Sequence, residues 1–542
     1  MSRLANPTIT VPDRVNIASY LPRAAARRPD AVAIAAAGGG GRWSRVTFRE
    51  LDERSNRVAR GLAQAGMRTG ERALVMVRAG VDLITLTYAL FKAGAVPVLI
   101  DPGMGIRSFL RCVEQTRPQA LIGIPLAHVL RRVVPGPFRS VGRQVTVGRR
   151  LPWGGTTLAA LEAGAASHPL MADTAREDTA AVLFTSGSTG PAKGAVYSHG
   201  NFDAQVRVLR ADYGFEPGEV DLAAFPLFSL FDNALEMTSV VPMLDPSRPG
   251  RCDPAQVVAA IEENRCTTAF GSPAIWRRVA PWCAARGRKL PSLRRVLIAG
   301  ASVPAALIEQ LHGVLSAEGD VYTPYGATEA LPVARAAGRE VVGETAGATR
   351  EGAGTCVGTP ATGIEVAVIR IDDGPIPEWC EDLRLPDGEV GELCVKGPVV
   401  TRSYLNRADA DALAKIREGD ALWHRMGDLG YRDGKGRIWF AGRKLERVET
   451  GAGPLFTDRV EGVFAAHPGV QRCALVGVGE PGRARPVLVV EGREDAALAA
   501  QLRRRGIVEA ILFHPRFPVD VRHNAKIHRH ALRDWAARRL AT

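Results

Sequence analysis

Apolar residues recur along the chain at two spacings. Ile17, Tyr20, Leu21 and Ala24 fall on one face of a helix over 17–28. FRELDERSNRVARGLAQAG (48–66) is a longer amphipathic helix, ended by Gly66 in the C-cap manner. Between them AVAIAAA (31–37) reads as a strand, GGGG (38–41) as its turn and VTF (46–48) as the returning strand. Residues 1–16, with two prolines and little pattern, read as a loosely held lead-in. Short apolar runs then alternate with helices: ALVMV (73–77), a helix over 81–93, VPVLI (96–100) and AAVLF (180–184). The alternation returns as helix 254–265, strand 267–270, helix 273–285, strand 295–300, helix 304–314 and strand 320–326. This predicts βαβ units and a parallel sheet. Ligands in such sheets bind beyond the carboxyl ends of the strands.

After residue 340 the pattern shortens to strands with turn residues: 363–371, 386–398 and 430–442, the last with a hairpin at Asp433-Gly434 and Lys435-Gly436. That predicts a small β-subdomain over about 340–443. The charged run RKLER (443–447) reads as a linker. Residues 444–542 have their own alternation: helix 458–467, strands 472–479 and 486–492, helix 494–505 and a terminal helix 528–540. The fold class is α/β: a large N-terminal domain over 1–443, then a small, mobile α+β domain over 444–542.

The run LFTSGSTGPAKG (183–194) changes the picture from fold to chemistry. A buried strand ends at Phe184, and nearly everything after it is small. Such a loop lets its backbone approach a ligand and turns successive N–H groups into an anion nest, with hydroxyls and the Lys193 ammonium added. That suits a polyphosphate. It is not a Walker loop, because Lys193 precedes Gly194 rather than Ser or Thr. GAS (300–302) and YGATE (325–329) lie at strand ends on the same edge, so three pieces of chain converge there.

Composition adds limits. A length of 542 residues implies two or more domains, and 46% apolar content fits a globular enzyme. The net charge of +13 comes mostly from Arg, with an excess near the C-terminus, but no aromatic interleaving accompanies it, so nucleic acid is not expected as a partner. Eight scattered cysteines, without a C-x-x-C pair, fit a reducing cytosol. No secretory signal is visible, and the most apolar window, 84–100, carries Lys92 and Pro97, so no membrane span and a cytoplasmic location are expected.

LFTSGSTGPAKG (183–194), YGATE (325–329), GELCVKGP (391–398), HRMGDLG (424–430), Gly442-Arg443 and Lys526 occur in the order found in adenylate-forming enzymes. Over about 17–535 the chain resembles that superfamily of acyl-CoA synthetases, NRPS adenylation domains and luciferases. The resemblance implies ATP and Mg²⁺. It gives the phosphates to Thr185, Ser186, Gly187, Ser188, Thr189, Gly190 and Lys193, and the metal to Glu329 and Thr185, with Thr328 beside them. Tyr325 and Gly326 would take the adenine face, Gly300, Ala301 and Ser302 the purine edge, Asp428 and Arg443 the ribose. Lys526 would bridge the substrate carboxylate and the α-phosphate. The superfamily's Asp or Lys hinge position holds Leu445 here, which puts a large C-terminal rotation, and coenzyme A as acceptor, in question.

The stretch 225–250 falls where the superfamily places its acyl pocket. Phe225, Phe228, Phe231, Met237 and Met243, joined by Phe270 and Trp276, form a wall suited to a long apolar chain. With FGSPAIWRRV (270–279) and RHNAKIHR (522–529), this stretch resembles the olefin β-lactone synthetases of bacterial hydrocarbon biosynthesis. That implies activation of a long-chain 2-alkyl-3-hydroxyalkanoic acid as acyl-AMP and closure to a β-lactone, beside a thiolase, a reductase and a lactone decarboxylase. A long-chain acyl-CoA or acyl-carrier-protein ligase shares every adenylation residue. A non-catalytic nucleotide- or nucleic-acid-binding protein is the more distant alternative. His199 and His424 lie near the right motifs for a base, and neither is assigned.

Overall fold

The computed structural model describes residues 7–184, 192–519 and 527–541. Thr185, Ser186, Gly187, Ser188, Thr189, Gly190 and Lys526 therefore lie outside the described residues.

The alternating strands divide between two sheets, which periodicity alone does not separate. One is built on parallel strands in the spatial order Thr179–Phe184, Val96–Leu99, Arg72–Met76, Ala120–Gly123 and Arg143–Thr146. Its margin is antiparallel: Gly194–Ser198 pairs with Thr179–Phe184, and Ser403–Tyr404 pairs with Gly194–Ser198. Gly194 has to be glycine there, since a Cβ would stand 2.9 Å from Val182.

The second sheet runs in parallel through Asp320–Ala327, Arg295–Ile298, Thr268–Gly271, Val220–Ala223, Thr238–Val241 and Val32–Ala37. The N-terminal hairpin thus joins strands two hundred residues later rather than its successors in sequence. At the other margin the chain folds back antiparallel as Ala330–Ala337. The short strands after 340 continue from it: Thr355–Pro360, Ile438–Arg443, Ala421–Arg432, Gly391–Lys396 and Glu365–Ile369. The β-rich region is therefore hydrogen-bonded into one 14-stranded sheet with the parallel strands.

Helices cover these sheets for local reasons. Phe48–Gln64 starts at a capping box of Thr47 and Glu50 and buries Phe48, Leu51, Val58 and Leu62. His199–Tyr213 starts at a box of Ser198 and Asn201 and ends at Gly214 with φ 58°. The small C-terminal domain holds a sheet of Cys473–Val478, Arg485–Glu491 and Ala510–His514. Phe464, Leu475, Leu488 and Leu502 belong to its own core. The α/β class with a large sheet and a small C-terminal domain matches the pattern read from sequence.

Two local expectations change. The lead-in is fastened from Asp13 onward: Val15 N–H donates to Thr174 O at 3.0 Å, and the Asn16 amide donates to Phe91 O at 2.8 Å. The run 443–447 is not a free linker, because Lys444 pairs with Glu392 at 3.0 Å and Arg447 with Asp373 at 2.6 Å. Both corrections have one cause, polar groups of main chain and side chain finding partners far away in sequence.

Candidate functional site

Both parallel sheets turn their carboxyl edges toward one cavity of about 2630 Å³. Ala299, Gly300, Ala301 and Ser302 line it after the strand Arg295–Ile298. Tyr325 and Gly326 lie within strand Asp320–Ala327, and Thr328 and Glu329 in the turn to Ala330–Ala337. YGATE is thus a β-hairpin, with Glu329 at its tip.

One corner is an aromatic–ionic cluster. The Tyr325 hydroxyl donates to Asp428 Oδ2 at 2.6 Å, and Arg443 Nη1 lies 2.8 Å from Asp428 Oδ1. Asp428 and Arg443 face each other because their strands, Ala421–Arg432 and Ile438–Arg443, pair antiparallel with these two residues in register. Burial, then Asp428, push the Tyr325 hydroxyl well above its usual range. Asp428 in turn raises Arg443. The hydroxyl stays protonated and the guanidinium charged, so both donate.

The other corner gathers around Glu329. The Tyr404 hydroxyl donates to Glu329 Oε1 at 2.6 Å. Thr401 donates to the Glu329 carbonyl twice, from N–H at 2.8 Å and from Oγ1 at 3.1 Å. The Tyr197 hydroxyl donates to the Thr328 carbonyl at 2.5 Å. Lys193 Nζ stands 5.0 Å from the centre of the Tyr404 ring and Lys415 Nζ 5.8 Å from it. Burial pushes Lys415 down to about 8. Tyr404, Tyr197, Thr401 and Lys415 escaped the sequence reading. The one usable signal was that Tyr404 follows GELCVKGP closely.

The apolar wall is sorted by the fold. Phe225, Met243 and Phe270 line the cavity, and Phe225 and Met243 are 50% and 52% exposed to it or to solvent. Phe228 lies flat on Phe270, ring centres 4.0 Å apart, and Phe231 stands 5.7 Å from Phe228. Phe228 and Phe231 therefore back the wall rather than face it. Trp276 is a correction: only 1% exposed, it packs with Val279, Cys283, Ile308 and Leu311 in the core. Its neighbour Ile275 lines the cavity, because one residue along helix Pro273–Ala284 turns a side chain by about 100°. Met237 is likewise fully buried.

The histidines also separate. His199 accepts from the Ile17 N–H through Nδ1 at 3.2 Å and meets Phe91 edge-on, away from the cavity. Burial lowers it to about 4. His424 lines the cavity with Nδ1 3.2 Å from Ala414 O. Burial and the nearby Lys415 hold it well below its ordinary range, hence neutral. The C-terminal domain closes one side, where Thr355 Oγ1 donates to its Asp458 at 2.7 Å; within that domain Arg529 pairs with Glu446 at 2.8 Å and Glu461 at 2.5 Å. Ile527 and Leu445 line the cavity from this side.

The profile of the AMP-binding enzymes matches residues 21–405. The chain belongs to that family. It is similar to the olefin beta-lactone synthetase of Stenotrophomonas maltophilia (strain K279a), 49% identical over 549 residues, covering 97% of this chain and 98% of that protein. It is 47% identical over 547 residues to the protein of that name from Xanthomonas campestris pv. campestris (strain ATCC 33913 / DSM 3586 / NCPPB 528 / LMG 568 / P 25), covering 96% and 97%. Its fold matches the crystal structure of the anthranilate CoA ligase AuaEII in complex with anthranoyl-AMP. The TM-score is 0.79 at 21% identity, over 98% of this chain and 99% of that one. The resemblance drawn from the motifs therefore holds, and this member of the AMP-binding family is an adenylate-forming enzyme of the ligase type. Among the described residues no helix is long and apolar enough to cross a membrane.

Proposed function

We propose that the chain uses ATP to activate a long-chain 2-alkyl-3-hydroxyalkanoic acid and closes it to a β-lactone. AMP and diphosphate would be released, in long-chain olefin biosynthesis. The observation that carries this reading is one cavity with a charged end and an apolar end. It lies in a chain whose likeness to two olefin beta-lactone synthetases runs nearly full length.

Asp428 and Arg443 are suited to the ribose hydroxyls, Tyr325 and Gly326 to the adenine face, and Gly300, Ala301 and Ser302 to the purine edge. Thr185, Ser186, Gly187, Ser188, Thr189, Gly190 and Lys193 would take the β- and γ-phosphates. Glu329, which follows Thr328, fits a Mg²⁺ carried by the nucleotide, and Thr185 would be the second protein ligand. Tyr404 occupies its Oε1, and among the described residues no hydrogen bond is made to Oε2. Such an ion keeps its phosphates and waters and asks for one or two carboxylates. When bound it would offset charge on the phosphate oxygens.

Lys526 is the residue for the α-phosphate. With its charge set between the two anions, the acid's carboxylate oxygen attacks the α-phosphorus and diphosphate leaves. The 3-hydroxyl oxygen then attacks the acyl carbonyl, its proton passing to the departing phosphate or to water, and AMP leaves as the four-membered ring closes. The free acid cannot close this strained ring. Once activated, the tethered hydroxyl acts at an effective molarity of about 10⁵ M or more. Phe225, Met243 and Phe270, backed by Phe228 and Phe231, suit the long chains. Residues 444–542 would serve as a lid on 1–443 with limited rotation, since Lys444 and Arg447 are tied to Glu392 and Asp373. A cytosolic setting beside other hydrocarbon-forming enzymes goes with this reading.

The test is product analysis of a racemic 2-alkyl-3-hydroxy acid with Mg·ATP, with and without coenzyme A. Lactone, AMP and diphosphate without the thiol are expected. A thioester that forms only with the thiol, and no lactone without it, would make the chain an acyl-CoA ligase instead.

A further inference from the structure

Behind Tyr404, which lines the cavity's charged end, lies a buried cation that the proposed reaction does not use. Lys415 is 7% exposed; the charges of Glu329 and Asp411 reach it, but among the described residues it makes no ion pair. An ammonium withdrawn from water without a paired carboxylate is costly. Its surroundings say what it holds. Nζ donates to the carbonyl of Thr401 and stands under the ring of Tyr404. Thr401 donates twice to the Glu329 main-chain carbonyl, and Tyr404 donates to the Glu329 carboxylate. Two routes from one ammonium, through main chain and through side chain, therefore end on Glu329. Tyr404 is also fixed from behind, because its N–H donates to Asp411 Oδ1 at 2.7 Å and its strand pairs with Gly194–Ser198. The Lys193 ammonium stands against the same ring.

We propose that Lys415 is a positioning residue for Glu329, acting through Thr401 and Tyr404 to hold the carboxylate where the nucleotide's divalent cation meets it. The proposal rests on the reading of Glu329 given above. Lys415 touches neither substrate nor metal. It supplies a fixed positive charge beneath Tyr404, a ring face attractive to cations, and a donor that locks the Thr401 peptide.

The test uses the full chain with Lys415→Met, Lys415→Arg and Tyr404→Phe. Pyrophosphate exchange is measured against Mg²⁺ at saturating ATP and acid. Mn²⁺ binding is followed by electron paramagnetic resonance with a non-hydrolysable ATP analogue. Removing a partner of a metal ligand typically weakens metal affinity by about 10–100-fold. Lys415→Met should raise the metal concentration for half-maximal exchange, and the Mn²⁺ dissociation constant, by about that factor. Thermal stability is measured in parallel, so that a metal shift in a folded variant is distinguished from loss of the fold. Lys415→Arg should recover part of the loss, and Tyr404→Phe should shift metal dependence in the same direction. The double variant Lys415→Met/Tyr404→Phe should be less than additive.

Unchanged metal dependence in both Lys415→Met and Tyr404→Phe would overturn the proposal. So would equal losses in the Met and Arg variants without any metal shift. If Lys415→Met does not fold, Tyr404→Phe alone decides. If Glu329→Gln itself leaves metal dependence intact, the reading of Glu329 fails first, and the two failures are told apart.

Discussion

The two ends of the cavity are built on opposite logics. At the charged end each group has its own partner at hydrogen-bond distance: Tyr325 with Asp428, Asp428 with Arg443, Tyr404 with Glu329. At the apolar end the same wall is made several times over, with Phe270 in front of Phe228 and Phe228 beside Phe231. Directional contacts fail one at a time, while a layered apolar surface yields gradually. Substitutions at the charged end should therefore cost far more in rate than those at the wall, and each substitution below tests that contrast.

Glu329→Gln should have the largest effect. It keeps the shape and removes the charge, and adenylation followed by pyrophosphate exchange should fall by about 10²–10³-fold. A loss under tenfold would place the metal elsewhere. Lys526→Ala should lower the same rate by about 10²-fold with ATP affinity little changed. A near wild-type rate would move the bridging role to another cation.

The apolar end divides between wall and core. Phe225→Ala should raise KM for long chains by about tenfold while hardly changing that for short ones. Trp276→Ala should instead destabilise the protein by about 3–5 kcal/mol, with chain-length preference unchanged, when melting and kinetics are compared. The reverse outcome would return Trp276 to the acyl wall.

The smallest effect concerns Asp458, where the C-terminal domain meets Thr355. Burial pushes its carboxyl up to about 6, from 3.8. The folded state thus holds this proton more tightly than the unfolded chain. The stability it gives is full below about pH 4 and is lost as pH rises through about 6. Asp458→Asn stays neutral throughout, so its melting temperature relative to wild type should improve between about pH 4 and pH 7, by the equivalent of about 2–3 kcal/mol. A constant difference across that range would mean the carboxyl is not held protonated.

How much could be read in advance follows the range of each interaction. Helix Phe48–Gln64 and its capping box lie within a few residues, and the periodicity carries them. The assignment of Val32–Ala37 to the second sheet depends on pairing with Thr238–Val241, and no local pattern marks that. YGATE could be read as chemistry, but its place on a hairpin depends on Ala330–Ala337 returning antiparallel.

By itself the amino-acid sequence determined the chemical groups and their order along the chain: a nest of small residues, a carboxylate after Thr328, an Asp and an Arg fifteen positions apart, and a late lysine. Together these named the family. Tertiary structure alone decided which groups hold them. Glu329 meets Tyr404 across 75 residues, and Lys415 comes under the same ring. It also decided which aromatics face the cavity, turning Ile275 inward and Trp276 away. The physical reason is that period gives a side chain its face on an element, while the order and hand of the sheets decide what lies opposite that face.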